Sequence, residues 1–249
     1  MKNIWNEGKT YEETAREIQQ LNCNLLAGMY SKYSLGKQTV LEMGCGTGYL
    51  TESLSQIKNV EKIMAFDLSK EMLDVAKAKK ILNTIFINIS FNALETEEVF
   101  TSFVSNAAFH WLFPNYSRAL DKINSLLKKD SFVYIATAGK NKDSEEYDNM
   151  MNDVLLDINP TYESFSKRRL SIIDIKNLIK NTNFILEDVF LVSREVVCTP
   201  FEFVQWLFAS GCSFKEEMPN DKEKLFIKLE KANFKNICHW TTFFLLKKR

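Results

Sequence analysis

The stretch TVLEMGCGTGYL, Thr39 to Leu50, decides the fold. Thr39 to Met43 is a short, mostly apolar run that reads as a buried strand. Gly44, Gly46 and Gly48 then turn the backbone, and Tyr49 to Gln56 reads as the helix that follows. A strand feeding a glycine turn into a helix places free backbone N–H groups and the positive end of a helix dipole beside a ligand. The missing side chains let that ligand come close to the backbone. The spacing is GxGxG, one residue shorter than the GxGxxG of dinucleotide-binding turns, which disfavours a nicotinamide-dependent dehydrogenase. Glu42 stands just before the turn, and Asp67 ends the next apolar run.

Beyond this unit, strand and helix alternate. Glu61 to Phe66 is a second short strand, and Ser69 caps a helix from Lys70 to about Lys80 with Met72, Leu73 and Ala76 on its inner face. Thr84 to Ile89 is a third strand. Phe103 and Val104 belong to a fourth, which runs into SNAAFHWL, Ser105 to Leu112. Asn115 to Lys128 has helical spacing through Ala119, Leu120, Ile123 and Leu127, and Phe132 to Thr137 is a fifth strand. This alternation predicts an α/β fold with a doubly wound, mostly parallel Rossmann-like sheet. Before it, Thr10 to Met29 reads as a helix with Thr10 as its N-cap, lying over the sheet or across a ligand pocket. After Gly139 the rhythm changes: helices are expected at 143–157, 174–180, 201–209 and 221–231. Extended segments at 185–197 and 238–246 are expected to form an antiparallel pair at the end of the sheet. The whole chain, 1–249, reads as one domain with cap elements around 1–30, 140–180 and 200–231, above the carboxyl ends of the strands where open α/β sheets bind ligands.

Composition narrows the function. The 249 residues are 45% apolar, enough for a substantial core, and 32 basic residues balance 32 acidic ones, with no basic stripe of the kind nucleic acid requires. The start of the chain is polar and charged and reads as no secretory signal, and no apolar run approaches a membrane span. Five cysteines without CxxC spacing and two histidines disfavour a metal site or a disulfide framework. The expectation is a cytoplasmic protein with reduced thiols, monomeric or weakly dimeric.

These residues resemble the class I S-adenosylmethionine (SAM) dependent methyltransferases along essentially the whole chain. Glu42-x-Gly44-Cys45-Gly46-Thr47-Gly48 is similar to that family's first motif, and Asp67 stands where the family's acid grips the ribose hydroxyls. Asn92 and Ala93 lie where many members carry Asp-Ala beside the adenine. SNAAFHWL resembles the fourth-strand motif of a narrower group, the malonyl-acyl-carrier-protein methyl ester synthases of biotin synthesis and the trans-aconitate methyltransferases. Tyr11, Ala15 and Leu25-Leu26, with TPFEFVQWLFASG (Thr199 to Gly211), resemble the opening helix and cap segment of the first of these. Asn92, Thr101 and Lys129-Asp130-Ser131 depart from the family's Asp, Asp and Pro-Gly-Gly.

The resemblance implies SAM as cofactor, held by Glu42, Gly44, Cys45, Gly46, Gly48, Asp67, Leu68, Met72, Asn92, Ala93 and Asn106, with Leu68 and Met72 against the adenine. It implies a small-molecule or carrier-bound acceptor, with a free carboxylate such as a malonyl thioester as the first choice. Methyl transfer from a sulfonium is an in-line displacement, and an ionised carboxylate needs no general base. Tyr11, His110, Trp111, Arg168 and Arg169 are the substrate-side residues. An arginine fork suits a carboxylate, and His110 is the candidate catalytic residue. A packed histidine, a pocket-wall tryptophan and solvated loop arginines are the plainer readings of those positions. A methyltransferase for another oxygen, nitrogen or carbon acceptor, or a SAM-binding regulator without turnover, remains open at this point.

Overall fold

Strand and helix alternate as the hydrophobic pattern requires. In the computed structural model, which describes residues 16–158, 160, 163–209 and 222–249, helix α1 (Arg16–Tyr33) precedes strand β1 (Gln38–Met43). Then come α2 (Tyr49–Ser55), β2 (Val60–Asp67), α3 (Lys70–Ala78), β3 (Thr84–Asn88), β4 (Phe100–Asn106), α4 (Tyr116–Ser125) and β5 (Leu127–Ala138). The chain continues through α5 (Lys142–Ile158), α6 (Ile172–Ile179), β6 (Phe184–Val197), α7 (Pro200–Ala209), α8 (Lys222–Lys231) and β7 (Asn236–Lys248). Thr10, Tyr11 and the Ser210–Gly211 end of the expected cap segment lie outside the described residues.

The seven strands form one sheet in the order β3-β2-β1-β4-β5-β7-β6. β1 to β5 run parallel, and β7 is antiparallel to both β5 and β6. The expected antiparallel addition is therefore present, with β7 inserted between β5 and the edge strand β6. The chain winds outward from β1 to β3, then returns to set β4 on the other side of β1. That reversal opens a crevice at the carboxyl ends of β1 and β4.

Alternate residues of each strand feed the two faces. Leu41, Phe103, Val133 and Phe244 pack with Leu120 and Ile123 of α4 and Ile175 of α6. Val40, Val104, Tyr134 and Phe243 pack on the other face with Leu26 and Tyr30 of α1 and Leu50 and Leu54 of α2. Burial on both faces explains why the central strands read as continuous apolar runs. A third cluster, including Leu155, Phe203, Leu225 and Leu229, joins α5, α7 and α8 into a cap with its own core. Among the described residues no helix is long and apolar enough to cross a membrane.

Among the boundaries that differ from the sequence reading, the end of α4 is set by packing. α4 ends at Ser125 instead of Lys128, because Leu127 already pairs with Phe100 as the first residue of β5. The helical spacing of Leu127 satisfies the same core from a strand, so periodicity cannot separate the two. Asp130 then takes a left-handed φ of 60° in the Lys129-Asp130-Ser131 stretch, a conformation that Asp tolerates where the resembling family has glycine.

Candidate active site

The carboxyl ends of β1, β2, β4 and β5 open into a cavity of about 480 Å³ that continues under the cap. Gly44 and Gly46, with φ of +67° and +53°, carry the chain across its floor. They serve different ends. A Cβ on Gly44 would lie 2.2 Å from the Cβ of Ala108, so this glycine lets the β4 loop close over the turn. A Cβ on Gly46 would meet nothing within 4 Å, and Gly46 lines the cavity. Gly48 packs against Ala76 and Ile81 instead of a ligand. Of the three, only Gly46 leaves open space where a side chain would stand, although Gly44 lines the cavity as well.

Asp67 closes one side of the turn. Its Oδ2 accepts the Gly46 N–H at 2.8 Å, and its Oδ1 accepts the Ser69 N–H at 2.8 Å. Burial raises its pKa, and the backbone N–H groups of Ser69, Gly46 and Leu68 oppose that rise. The carboxylate is held in one orientation with lone pairs left for a ligand. Leu68, half exposed, and buried Met72 line the cavity next to it, as do Ile89, Ser90, Phe91 and Asn92. Asn92 is exposed, and its carbonyl accepts Lys122 Nζ at 3.0 Å. Ala93 is exposed and is not part of the cavity wall. Its N–H instead closes the turn back to Ser90.

Glu42 is 1% exposed, and its Oε2 has no hydrogen-bond partner among the described residues. Burial pushes its pKa up to about 8, with the Thr51 hydroxyl opposing and the Asp67 charge adding to the rise. A smaller pocket joins Glu42, Cys45, Thr47 and Asn106 to Gln19 and Cys23 of α1. Asn106 Nδ2 donates to Gln19 Oε1 at 3.1 Å and to Cys23 Sγ at 3.2 Å, while its Oδ1, like Glu42 Oε2, is buried without a partner. Cys45 lines this smaller pocket and not the main cavity. Two orphaned acceptors beside a glycine turn call for a donor-rich, positively charged ligand group. Ala107, next along the wall, holds a strained φ of +54° fixed by its N–H bond to Ala136 O at 2.8 Å.

His110 and Trp111 lie in a single 3-10 turn, Phe109–Leu112. His110 is buried, its Nδ1 3.5 Å from Thr137 Oγ1, and its ring sits 4.9 Å from Trp111 and 5.3 Å from Phe165. Burial, then the charges of Arg169, Arg168 and His239, lower its pKa to about 3. Burial favours the neutral ring, and His110 stands in the cavity wall within reach of Thr137 Oγ1.

Arg168 and Arg169 are not solvated loop charges. Their segment is tied to the end of β5: Leu170 N–H donates to Ala138 O at 2.9 Å, and Thr242 Oγ1 donates to Leu170 O at 2.7 Å. Arg168 stacks over Trp111 at 4.9 Å and faces the cavity, and Tyr116 OH anchors its carbonyl at 2.8 Å. Arg169 is engaged by the protein: its Nε and Nη2 bind Asp148 at 2.7 and 2.9 Å, and its Nη1 donates to Gly139 O at 3.3 Å. The two arginines both line the cavity, but Arg169 is in addition held by Asp148 and Gly139. Sequence reasoning missed Asp148, Gln19 and Asn22, polar residues on helices with no motif to mark them; all three line the cavity.

The sheet order and the glycine turn match the Rossmann-like fold seen in methyltransferase structures. Residues 40–130 match the family model described as "Methyltransferase domain". Among curated proteins, the malonyl-[acyl-carrier protein] O-methyltransferase of Bacillus anthracis is 30% identical over 53% of this chain and 49% of its own length. A protein of Ilyobacter polytropus named malonyl-[acyl-carrier protein] O-methyltransferase 2 is 26% identical over 95% of this chain and 89% of its own length. The chain thus matches about half the length of the first of these relatives and most of the second. Among solved structures, the YcgJ protein of Bacillus subtilis superposes with a TM-score of 0.63 at 19% identity, over 91% of this chain and 99% of that one.

Proposed function

We propose that this chain transfers the methyl group of SAM to a free carboxylate on a small or carrier-bound acid, with a malonyl-thioester-like acceptor as the first choice. The orphaned acceptors Glu42 Oε2 and Asn106 Oδ1 carry the cofactor half of this reading. They suit the ammonium of an amino-acid tail, Asp67 suits the hydroxyls of a ribose, and Leu68, Met72 and Phe91 suit the face of a purine. When bound, SAM supplies an activated methyl on a positively charged sulfur. The protein's part is to align the acceptor and exclude water.

The acceptor half rests on the wall around Arg168. Arg168 lies over Trp111, Arg169 lies over Phe165 and Trp240, and the pKa values of His110 and His239 are both lowered, to about 3, by burial and neighbouring arginines. Among the described residues, the charged groups lining the cap side are Arg168 and the Arg169–Asp148 pair. Such a chamber favours an anionic nucleophile that is already ionised and needs no base. The names of the relatives support the malonyl acceptor, and a place in biotin synthesis stands or falls with it. A carrier would approach from the cap side. Lys128 and Lys129, the basic pair near the start of β5, stand about 30 Å of strand away from the cavity.

The test is transfer of a labelled methyl group. A malonyl thioester is expected to yield a base-labile methyl ester. Absence of any base-labile product from malonyl, aconitate and related acids would overturn the carboxylate assignment.

A further inference from the structure

The cavity extends beyond the residues assigned to cofactor and carboxylate, to a cap end lined by Phe203, Trp206, His239 and Trp240. Trp206 is more than nine-tenths buried, yet its indole Nε1–H has no acceptor among the described residues. Its ring meets His239 edge-on at 4.8 Å and Phe203 at 5.9 Å, so it stands in a packed cage. A buried donor left unpaired costs about as much as a lost hydrogen bond, and such sites are filled by water or by a ligand oxygen. The ring contacts run without a break from the reacting end: His110 touches Phe165, Arg169 lies over Phe165 and Trp240, and His239 precedes Trp240 on β7. Asp148, the cap-side carboxylate of the cavity lining among the described residues, is held by Arg169.

We propose that Trp206 and its cage form a distal acceptor subsite, which takes a carbonyl or amide oxygen borne at the far end of an apolar chain whose near end is the acid to be methylated. The inference rests on the carboxylate reading above and adds the second recognition point. The acceptor class becomes an acid with an apolar spacer and a remote, neutral hydrogen-bond-accepting oxygen. An acid-bearing thioester continued by an amide-containing arm meets this description, and so does a free monoamide of a dicarboxylic acid. A plain fatty acid fills the same space without using the indole N–H.

The test compares two probes of equal chain length, suberic acid monoamide and nonanoic acid. Each is titrated by calorimetry into the full chain loaded with S-adenosylhomocysteine, with wild type and Trp206→Phe side by side. Trp206→Phe keeps the aromatic wall and removes the donor. It should weaken the monoamide about five- to tenfold and change nonanoic acid by less than about twofold. Uptake of S-adenosylhomocysteine by both proteins reports an intact fold. Equal loss for both probes, no loss for either, or no binding of either probe to wild type would overturn the subsite, the second of these meaning that water alone satisfies the indole. Because binding is read without turnover, probes that bind as expected while no acid tried yields a methyl ester would refute the carboxylate chemistry and leave the subsite standing.

Discussion

Glu42 holds a carboxyl in a place where water cannot reach it, and its protonation state follows from that. Its pKa lies near 8 in the folded, ligand-free protein, against an ordinary value of 4.5. The folded state therefore binds a proton more readily than the unfolded one. The stability this contributes is fully present below about 4.5 and is lost as pH rises through about 8. Denaturant unfolding followed across that window should show wild-type stability falling, by an amount on the order of a few kcal/mol, and the fall should be flattened in Glu42→Gln. A cationic amine beside Glu42 reverses its preference, so cofactor uptake near neutral pH should release about one proton. Calorimetry in buffers of different ionisation enthalpy reads that proton directly, and Glu42→Gln should abolish it. His110 makes the opposite prediction. With both His110 and His239 near 3, kcat at saturating cofactor should show no histidine inflection between about pH 5 and about pH 8. His110→Asn should lower kcat by less than about tenfold, against the hundredfold or more that losing a general base costs. A bell-shaped profile that vanishes in His110→Asn would restore the histidine as a base.

At the scale of elements, the site depends on close approach between segments that the chain keeps far apart. Gly44 at the end of β1 touches Ala108 after β4, so Gly44→Ala should destabilise the fold by about 2 kcal/mol or more. Adding Ala108→Gly should recover the part due to the clash and leave the part due to the left-handed backbone, a division that denaturation of the single and double variants can measure. The cap is braced in a similar way. Asp148→Ala strands the Arg169 guanidinium in a buried position and should cost about 3–5 kcal/mol, more than the double variant with Arg169→Met. The strands, the glycine turn and the acid at the end of β2 were legible because each follows from local periodicity and turn chemistry. The Arg169–Asp148 pair was not, because it joins a turn to a helix through space and neither residue stands in a motif. The separate purposes of Gly44, Gly46 and Gly48 were equally hidden, since only the packed β4 loop and α3 distinguish them.

For the whole molecule, the alternation from Thr39 to Thr137 already implied a parallel sheet with its ligand site at the strand ends, and the antiparallel end of the sheet was legible from two late extended runs. Sequence could not show how far the cavity reaches beneath the cap, because Phe165, Trp206 and Trp240 come together only once β6, β7 and the cap helices are in place. The central claim is that Glu42, Asp67 and the glycine turn shape one slot for SAM. Calorimetric titration with S-adenosylhomocysteine tests it most directly: wild type should bind one equivalent saturably, and Asp67→Ala should bind about a hundredfold more weakly, the loss of two charge-assisted hydrogen bonds. Wild-type protein that takes up no ligand, or an Asp67→Ala variant that binds as wild type does, would contradict it.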